Sequence, residues 1–437
     1  MNITDIILNP MMIATVVMVV LCLLKIDVFF SIVASVFVCI FLAGANVTEG
    51  FTLFIEGMGS NAEIIYGLLV MGMIAVVMQE IKIGDVLVPR IAKVIGNRVW
   101  LIPVMLTVMG ILSETVILVY VTFVPIFIPP FLELFNQYKV DRRMLTTVIN
   151  AGLQIGYVCI PIGIGAVYMG IVQGALADNG LEVEFSEIFP ASIPILISLI
   201  VGVIIAIIVY RKPREYENTG VEVAQIASEP AKMESKHWLT LIATLLMVVT
   251  ITITGYIPLA GSVGLAFLIV TGVIKVTRIT DYFNENMKTM AYGCFVLMAA
   301  SGFGNVTRNI GDLDTLISAL TEALGGNKLI AAFFMLIVGL AVTMGIGTSF
   351  GTVPIVATIL VPLSMNLGMS SAVVIMLVSA AGALGDSGSP ASENSLVPTS
   401  VFNYDGQHNH VYDTCVPAFC CINIPIVIIC TIAACIM

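Results

Sequence analysis

The sequence predicts an all-α polytopic membrane protein, with about ten transmembrane helices and two re-entrant helical hairpins, divided between two inverted-topology repeats that contain broken helices. Three observations carry that expectation. The 437 residues have a mean hydropathy of +1.07 and only 11% are charged, more apolar surface than a water-soluble core can hide. Apolar runs recur along the whole chain, and two of them are too long for one crossing. Finally, the chain resembles itself when shifted by 229 residues.

The apolar runs lie near 11–24, 28–44, 62–79, 99–134, 144–176, 191–210, 238–255, 258–274, 289–303, 329–369, 371–402 and 415–437. A crossing takes about 20 residues. The runs 99–134 and 329–369 exceed that and carry polar residues midway, as hairpins that return to the side they entered would. The other ten then cross once each, so both termini share a side. Lysine and arginine gather in short cytoplasmic loops, and 16 of the 18 fall on one side in this arrangement. They are Lys25; Lys82, Arg90, Lys93 and Arg98; Lys139, Arg142 and Arg143; Arg211, Lys212, Arg214, Lys232 and Lys236; Lys275, Arg278 and Lys288. Only Arg308 and Lys328 fall on the other, together with the acidic loop ADNGLEVEFSE. The expected location is the cell membrane, with both termini extracytoplasmic. The start MNITDIILNP lacks the basic head of a cleavable signal, so the first run is expected to stay as a helix.

The 229-residue shift superposes Val47-Thr48 on Val276-Thr277, Phe54 on Phe283, Met58 on Met287 and Val124-Pro125-Ile126 on Val353-Pro354-Ile355. With small gaps Ile83-Gly84-Asp85 meets Ile310-Gly311-Asp312, and Gly96-Asn97 meets Gly326-Asn327. Each half holds five crossings and a hairpin. An odd number of crossings turns the second half upside down, an arrangement typical of transporters. The expected organisation is an N-terminal repeat (1–210) with hairpin 99–134 and broken helix 144–176, a cytoplasmic linker (211–237), and a C-terminal repeat (238–437) with hairpin 329–369 and broken helix 371–402. Nine cysteines without a CxxC or framework spacing read as reduced, packed thiols. The net charge of −10, with basic residues spread over several loops, suggests no nucleic-acid partner.

An unwound stretch at membrane depth is tolerated only against protein or a watery cavity, and four are expected. The first hairpin turns near Ser113-Glu114-Thr115, the second across Gly345 to Thr352; the runs that follow are interrupted at CIPIGIGAV and at GDSGSPASENS, residues 385–395. In the last stretch Ser389 before Pro390 reads as a helix start, so one half-helix ends near Gly385 and another begins near Pro390. The first would leave carbonyls that favour a cation, the second amides that favour an anion. Asp386 stands between them, with Glu393 about one turn further on. A carboxylate near the bilayer centre costs at least ~2.5–3.5 kcal/mol on insertion scales, and none of the four stretches holds a basic partner.

Asp386 is therefore expected to bind Na+ or carry a proton, the alternative being a structural cap of the break. Glu114 and Glu393 are candidates of the same kind unless they lie at an interface in water. Ser389, Ser392, Asn394, Thr348, Ser349 and Thr352 offer neutral oxygens that suit an alkali cation or a polar solute; satisfying loosened backbone is the other reading. Ser113 and Thr115 join Glu114 as candidate substrate-binding residues. Asn150, Gln154 and Tyr157 recur on one helical face, as a substrate-facing stripe or an interhelical hydrogen-bond seam. His408 and His410, between Asp405 and Asp413, invite a metal reading, but a two-apart pair without a third strong ligand reads as a polar cytoplasmic turn. The glycines of GIGTSFG follow no strand, which excludes a nucleotide loop.

The stretch GDSGSPASENSLVPTSVFNYDGQHNHVYDTCVPAF resembles the C-terminal motif of NhaC-type Na+/H+ antiporters within the ion transporter superfamily, in particular the branch of histidine or basic amino-acid permeases. VTFVPIFIPPFLELF and VDRRMLTTVINAGLQIGYVCIPIGIG resemble that branch's first hairpin and broken helix. The resemblance spans most of the chain. It implies a homodimer with a scaffold domain and a mobile, elevator-like transport domain, and site residues Asp386, Ser389 and Ser392 in the second break with Thr348 and Thr352 in the second hairpin. Two departures stand out against the branch: Ser113-Glu114-Thr115 replaces an amide-rich tip, and Glu393 replaces an aspartate. The extra carboxylate favours a more cationic cargo.

The expected function is a secondary active transporter that couples Na+ and/or H+ gradients to movement of a small polar solute, a zwitterionic or cationic amino acid by the charge of the breaks. A pure Na+/H+ antiporter is the alternative. A passive channel fits the paired hairpins less well, and an intramembrane enzyme lacks a nucleophile and base in one site. No cofactor is expected beyond the coupling ions, and the partners are membrane lipid and the solute.

Overall fold

The computed structural model describes residues 7–24, 26–59, 62–82, 86, 100–116, 120, 124, 128, 132, 135–217, 232–254, 256–390 and 392–437. All regular structure among them is helical. In chain order the helices are α1 (Pro10–Leu23), α2 (Val28–Leu42), α3 (Val47–Gly59), α4 (Ala62–Glu80), α5 (Leu101–Thr115), α6 (Arg142–Gln154), α7 (Ile164–Asp178), α8 (Phe185–Ala191) and α9 (Ile193–Val209). The second half follows with α10 (Ser235–Thr254), α11 (Ile257–Val270), α12 (Ile279–Ile310), α13 (Leu313–Ala323), α14 (Lys328–Ile346), α15 (Ser349–Asn366), α16 (Ser371–Ala383), α17 (Glu393–Phe402) and α18 (His410–Ile436). Side-chain oxygens of Asn9, Asp27, Asp141, Asn327, Ser370 and Ser392 start α1, α2, α6, α14, α16 and α17 by accepting from first-turn amides. Such caps matter most where water is scarce.

Among the described residues four helical segments are long and apolar enough to cross a membrane: Phe185–Val209, Lys328–Ile346, Ser349–Asn366 and His410–Ile436. A fifth crossing results if the pair Arg142–Cys159 and Ile164–Asp178, bent by 54°, is counted as one broken span. Shorter apolar helices, including α1, α2, α5, α11 and α16, supply the rest of the apolar surface. The protein is an all-helical, polytopic membrane protein with a broken helix pair.

The 229-residue spacing reappears in the helix bounds. Shifted by that amount, Arg142–Gln154 falls on Ser371–Ala383, the start of α7 at Ile164 falls on the start of α17 at Glu393, and Val28 falls on Ile257. Moreover, α3 and α4 together lie along α12 in the opposite direction: Asn305 donates to the Leu53 carbonyl (2.8 Å), Asn286 to that of Leu69 (2.9 Å), and Arg278 pairs with Glu80 (2.6 Å). Small residues let the helices close up. A side chain at Gly57 would collide with Asn305 and the Gly302 backbone, and one at Gly110 with the backbone of Ile149 and Gly152.

Helices α14 and α15 are antiparallel arms of one hairpin, because Lys328 at the start of the first donates to the Gly368 carbonyl just past the end of the second (2.7 Å). Their connector is only Gly347-Thr348. Gly347 takes a left-handed conformation (φ 76°) and ends α14 as a C-cap glycine does. The expected unwound stretch from Gly345 to Thr352 is thus shorter than the sequence suggests, since Gly345 and Ile346 complete α14 and Ser349 to Thr352 already belong to α15. For the first hairpin, α5 ends at Thr115 as expected; the return arm falls at 117–134, almost all outside the described residues, as do the repeat matches at 83–85, 96–97 and 125–126.

The broken helices follow. After α6 the chain widens into a π-turn (Ile155–Cys159), unwinds over 160–163 and resumes at α7. After α16 it turns over 384–388 and resumes at α17. Here the sequence reading needs correction. The first half-helix ends at Ala383, and the second begins at Glu393 with Ser392, not Ser389, as its cap. Pro390 fits a helix start locally, but Ser389 is used elsewhere: its hydroxyl donates to the Met344 carbonyl at the hairpin (3.0 Å). The linker also departs from a plain solvated segment. Its first residues are docked, with Arg214 on Asp413 (2.9 Å), and Glu217 and Gln407 exchange two hydrogen bonds (2.7 and 2.8 Å); residues 218–231 lie outside the described set. The nine cysteines are all free thiols.

Candidate functional site

The site centres on Asp386, which the turn after α16 holds between the hairpin connector and the π-turn that follows α6. Its side chain is 6% exposed. Oδ2 accepts from Ser349 Oγ (2.6 Å), Tyr157 OH (2.9 Å) and Asn394 Nδ2 (3.0 Å), and Oδ1 accepts from the Ser392 hydroxyl. Three separate pieces of chain therefore supply the donors: the start of α15, the π-turn, and the cap and first turn of α17. All four donors are neutral, and no lysine or arginine among the described residues pairs with this carboxylate. Ionised carboxylates accept without donating, so when Asp386 is ionised its four neutral donors would leave its charge unbalanced.

Tyr157 and Asp386 are 229 residues apart in sequence, and so are Gln154 and Ala383, whose amide and carbonyl join at 2.9 Å. Equivalent positions of the two halves therefore touch at the site. The backbone around it is satisfied by side chains. The last carbonyls of α16, expected to face a cation, instead accept from Tyr168 (Ser379, 2.7 Å), Thr343 (Ala381, 2.8 Å) and Gln154 (Ala383). Close approach is needed for this, and a side chain at Gly385 would collide with Met344 and Thr343.

The other sequence-predicted residues divide clearly. Ser349, Ser392, Asn394 and Tyr157 join Asp386 directly. Ser389 braces the break against α14, and Thr348 precedes α15, its carbonyl accepting from Thr352 (2.7 Å). Ser113 and Thr115 turn back onto their own helix at Gly110 and Ile111, so their hydroxyls are engaged by backbone. Glu114 is buried, with its Cβ against Gly156 of the π-turn, and none of the described residues donates to its carboxyl. Glu393 is exposed on α17 and is not among the donors to Asp386. Asn150 is fully buried, and neither of its amide atoms has a partner among the described residues. No group of three or more His, Cys, Asp or Glu side chains among the described residues could hold a metal ion.

On the side that carries the basic residues, a second cluster ties the two broken helices together. The Arg142 guanidinium grips Asp405 with two bonds of 2.6 Å and also reaches the Phe402 carbonyl (2.8 Å) and Asn136 (3.1 Å). Burial opposes ionisation of Asp405, but the hydrogen bonds and charge of Arg142, together with the backbone amides of Gln407 and Asp405 itself, outweigh it and hold the carboxyl below its usual range. His408 is buried beside this pair with Nε2 2.7 Å from the Thr414 hydroxyl. Burial pushes it down to about 4 despite nearby Asp413. His410 meets the Thr399 hydroxyl (2.8 Å) and the Pro390 carbonyl of the break (3.0 Å). The sequence reading, a polar turn without a metal, did not anticipate these long-range bonds, nor the roles of Tyr168 and Thr343; a polar residue about a turn from a break is the only signal that marked them.

Residues 170–435 match the Na+/H+ antiporter family, and residues 9–95 match a second family of the same description. The chain belongs to the Na+/H+ antiporter family. Among relatives in this family-level comparison, a Bacillus subtilis protein named "Putative amino acid transporter YuiF" is 35% identical over 98% of this chain and 99% of its own length. An uncharacterized membrane protein of Vibrio parahaemolyticus is 37% identical with the same coverage. The fold is shared with more distant solved structures. MtrF of Neisseria gonorrhoeae matches with a TM-score of 0.61 and 15% identity over 87% of this chain and 82% of its own. The YdaH transporter of Alcanivorax borkumensis gives 0.62 and 13% over 87% and 85%. As a member of the Na+/H+ antiporter family the protein is a secondary transporter in the membrane and not an enzyme.

Proposed function

We propose that this antiporter-family member couples a Na+ and/or H+ gradient to the movement of a zwitterionic or cationic amino acid, with Asp386 as the residue that binds the cation or carries the proton. The carrying observation is the set of four neutral donors around a buried carboxylate that no described basic residue neutralises. The name of the B. subtilis relative supports the solute class. Na+ or a proton would bind the carboxylate with those neighbours in place, the hydroxyl oxygens of Ser349, Ser392 and Tyr157 turning towards a bound Na+. Because Ser349 sits on the hairpin and Tyr157 on the other broken helix, movement of the hairpin would change how strongly Asp386 is held.

In this reading residues 1–210 and 238–437 are inverted repeats, each with five crossings and a hairpin, and 211–237 link them. The matching helix bounds and the antiparallel run of α3–α4 against α12 support it. The basic cluster around Arg142 then faces the cytoplasm and both termini lie outside. A homodimer moving its transport domain as an elevator fits the family resemblance.

The test uses purified protein in liposomes. Asp386→Asn should abolish Na+-dependent stabilisation and uphill solute uptake. Wild-type proton release on adding Na+ without any amino acid would favour a pure Na+/H+ antiporter over a solute carrier. Unchanged transport by Asp386→Asn would remove the assigned site.

A further inference from the structure

We propose that an internal, water-lined proton path leads from the basic side of the protein to Asp386 along one face of the first broken helix, with Asn150 as its central station. The inference rests on the reading of Asp386 as a proton- and cation-binding group. Thr146, Asn150, Gln154 and Tyr157 follow one another at helical spacing on that face. At one end the Thr146 hydroxyl reaches the Asp413 carbonyl (3.2 Å); at the other Gln154 donates to the Ala383 carbonyl and Tyr157 to Asp386. Asn150 lies between these anchored residues, 0% exposed, with Oδ1 and Nδ2 both unpartnered, and the Oε1 of Gln154 is unpartnered as well.

The break shows the same pattern. Ser387 Oγ and both amide atoms of Asn423 are buried without partners, and Asn423 Nδ2 lies 2.6 Å from where a side chain on Gly388 would begin. An unsatisfied buried polar atom costs about 1–3 kcal/mol, so six of them, three along the first broken helix and three around the second break, call for an occupant. The donor set identifies its chemistry. Amide N–H donors stand beside amide and hydroxyl acceptors, which excludes a bare cation or anion as the common partner and suits water, which both donates and accepts.

Among the described residues charged groups lie only at the ends: Asp386, Glu114 and Glu393 near the break, and Asp141, Arg142, Arg143, Arg214, Asp405, Asp413 and the neutral His408 on the basic side. A proton entering beside Asp413 binds the first water, which passes a different proton to the next. One proton reaches the Asp386 carboxylate and converts it to the neutral acid, and the cation held there leaves. The reverse sequence returns the proton.

The experiment records proton movement triggered by a Na+ pulse in liposomes that hold a pH dye, beside Na+ affinity from thermal shift at fixed pH. Asn150→Leu should slow proton movement at least ~10-fold while equilibrium Na+ affinity stays within about threefold, because a path sets a rate and not an affinity. Asn150→Ser, which replaces the amide with a hydroxyl and leaves room for one more water, should retain the rate to within about threefold. Asn423→Leu tests the unpartnered group at the second break independently should the first variant fold poorly. Wild-type proton rates in both leucine variants would overturn the path. So would a loss of Na+ affinity in Asn150→Leu as large as in Asp386→Asn, which would make Asn150 a cation ligand. Wild type without Na+-triggered proton movement, or Asp386→Asn that retains it, would overturn the reading of Asp386 and take the path with it.

Discussion

The first halves of the two broken helices have the same bounds under the 229-residue shift and the second halves resume at matching residues, Ile164 and Glu393, yet the two breaks differ sharply in chemistry. The first, through Tyr157 and the stretch 160–163, carries no acid; the second carries Asp386, Glu393 and four serines within GDSGSPASENS. Their contact explains the difference. Tyr157 and Asp386 are equivalent positions and touch at 2.9 Å, so whatever one contributes the other must complement. Two carboxylates there would repel one another, whereas a hydroxyl opposite a carboxylate donates to it. Across this contact one break supplies the carboxyl and the other the hydroxyl that donates to it.

Placing an acid on both sides breaks the comparison most severely. In Tyr157→Asp the shorter side chain would hold a second carboxylate about 7 Å from the first, costing about 2.4 kcal/mol at an effective dielectric of 20. Na+-dependent transport should fall by roughly 30–100-fold on that scale. The double variant Tyr157→Asp/Asp386→Asn moves the acid to the other half and should recover part of the Na+-induced thermal shift. A double variant as inert as the single would show that the contact is not interchangeable and that the neighbours Ser349, Ser392 and Asn394 decide where the charge belongs.

A milder change sharpens the same point. Tyr157→Phe removes one of four donors and leaves the ring in place, a loss of about 1.4 kcal/mol or tenfold in apparent Na+ affinity. Measured by thermal shift across a Na+ titration, no change would mean that the remaining three donors suffice.

Much of this was legible in the sequence because it rests on local signals and on repetition. The 229-residue shift, found from a handful of matched residues, agrees with the helix bounds of α6 and α16, and the Gly-rich hairpin and the acidic break were visible as polar interruptions of apolar runs. What escaped depends on contacts between distant segments. SGSPASE offers two serines that could cap, and only the three-dimensional course of the chain assigns Ser392 to the helix start and Ser389 to the Met344 carbonyl. Helical periodicity placed Tyr157 on a face with Gln154 but not opposite Asp386. The carbonyls at the end of α16 looked open to a cation until Tyr168 and Thr343 arrived from other helices.

The outer ends of the same helices extend the comparison. Ser370, a neutral residue, caps α16, while Asp141 caps α6 amid Arg142, Arg143, Arg214, Asp405, Asp413 and His408. That charged end should make stability depend on pH in a way the neutral end does not. His408 titrates at about 4 in the folded protein, chiefly through burial, against about 6.5 when unfolded. The unfolded chain therefore binds more protons between those values. Its contribution is fully present above about 6.5 and is lost as pH falls towards 4. His408→Gln keeps a polar group near Thr414 without the titration, so the drop in thermal midpoint between pH 7 and 5 should be smaller than in wild type. The carboxylates of Asp405 and Asp413 are held low by their arginines and stay ionised over most of that range, which leaves the histidine as the main local source of the slope. An identical drop in wild type and variant would place the acid sensitivity outside this cluster.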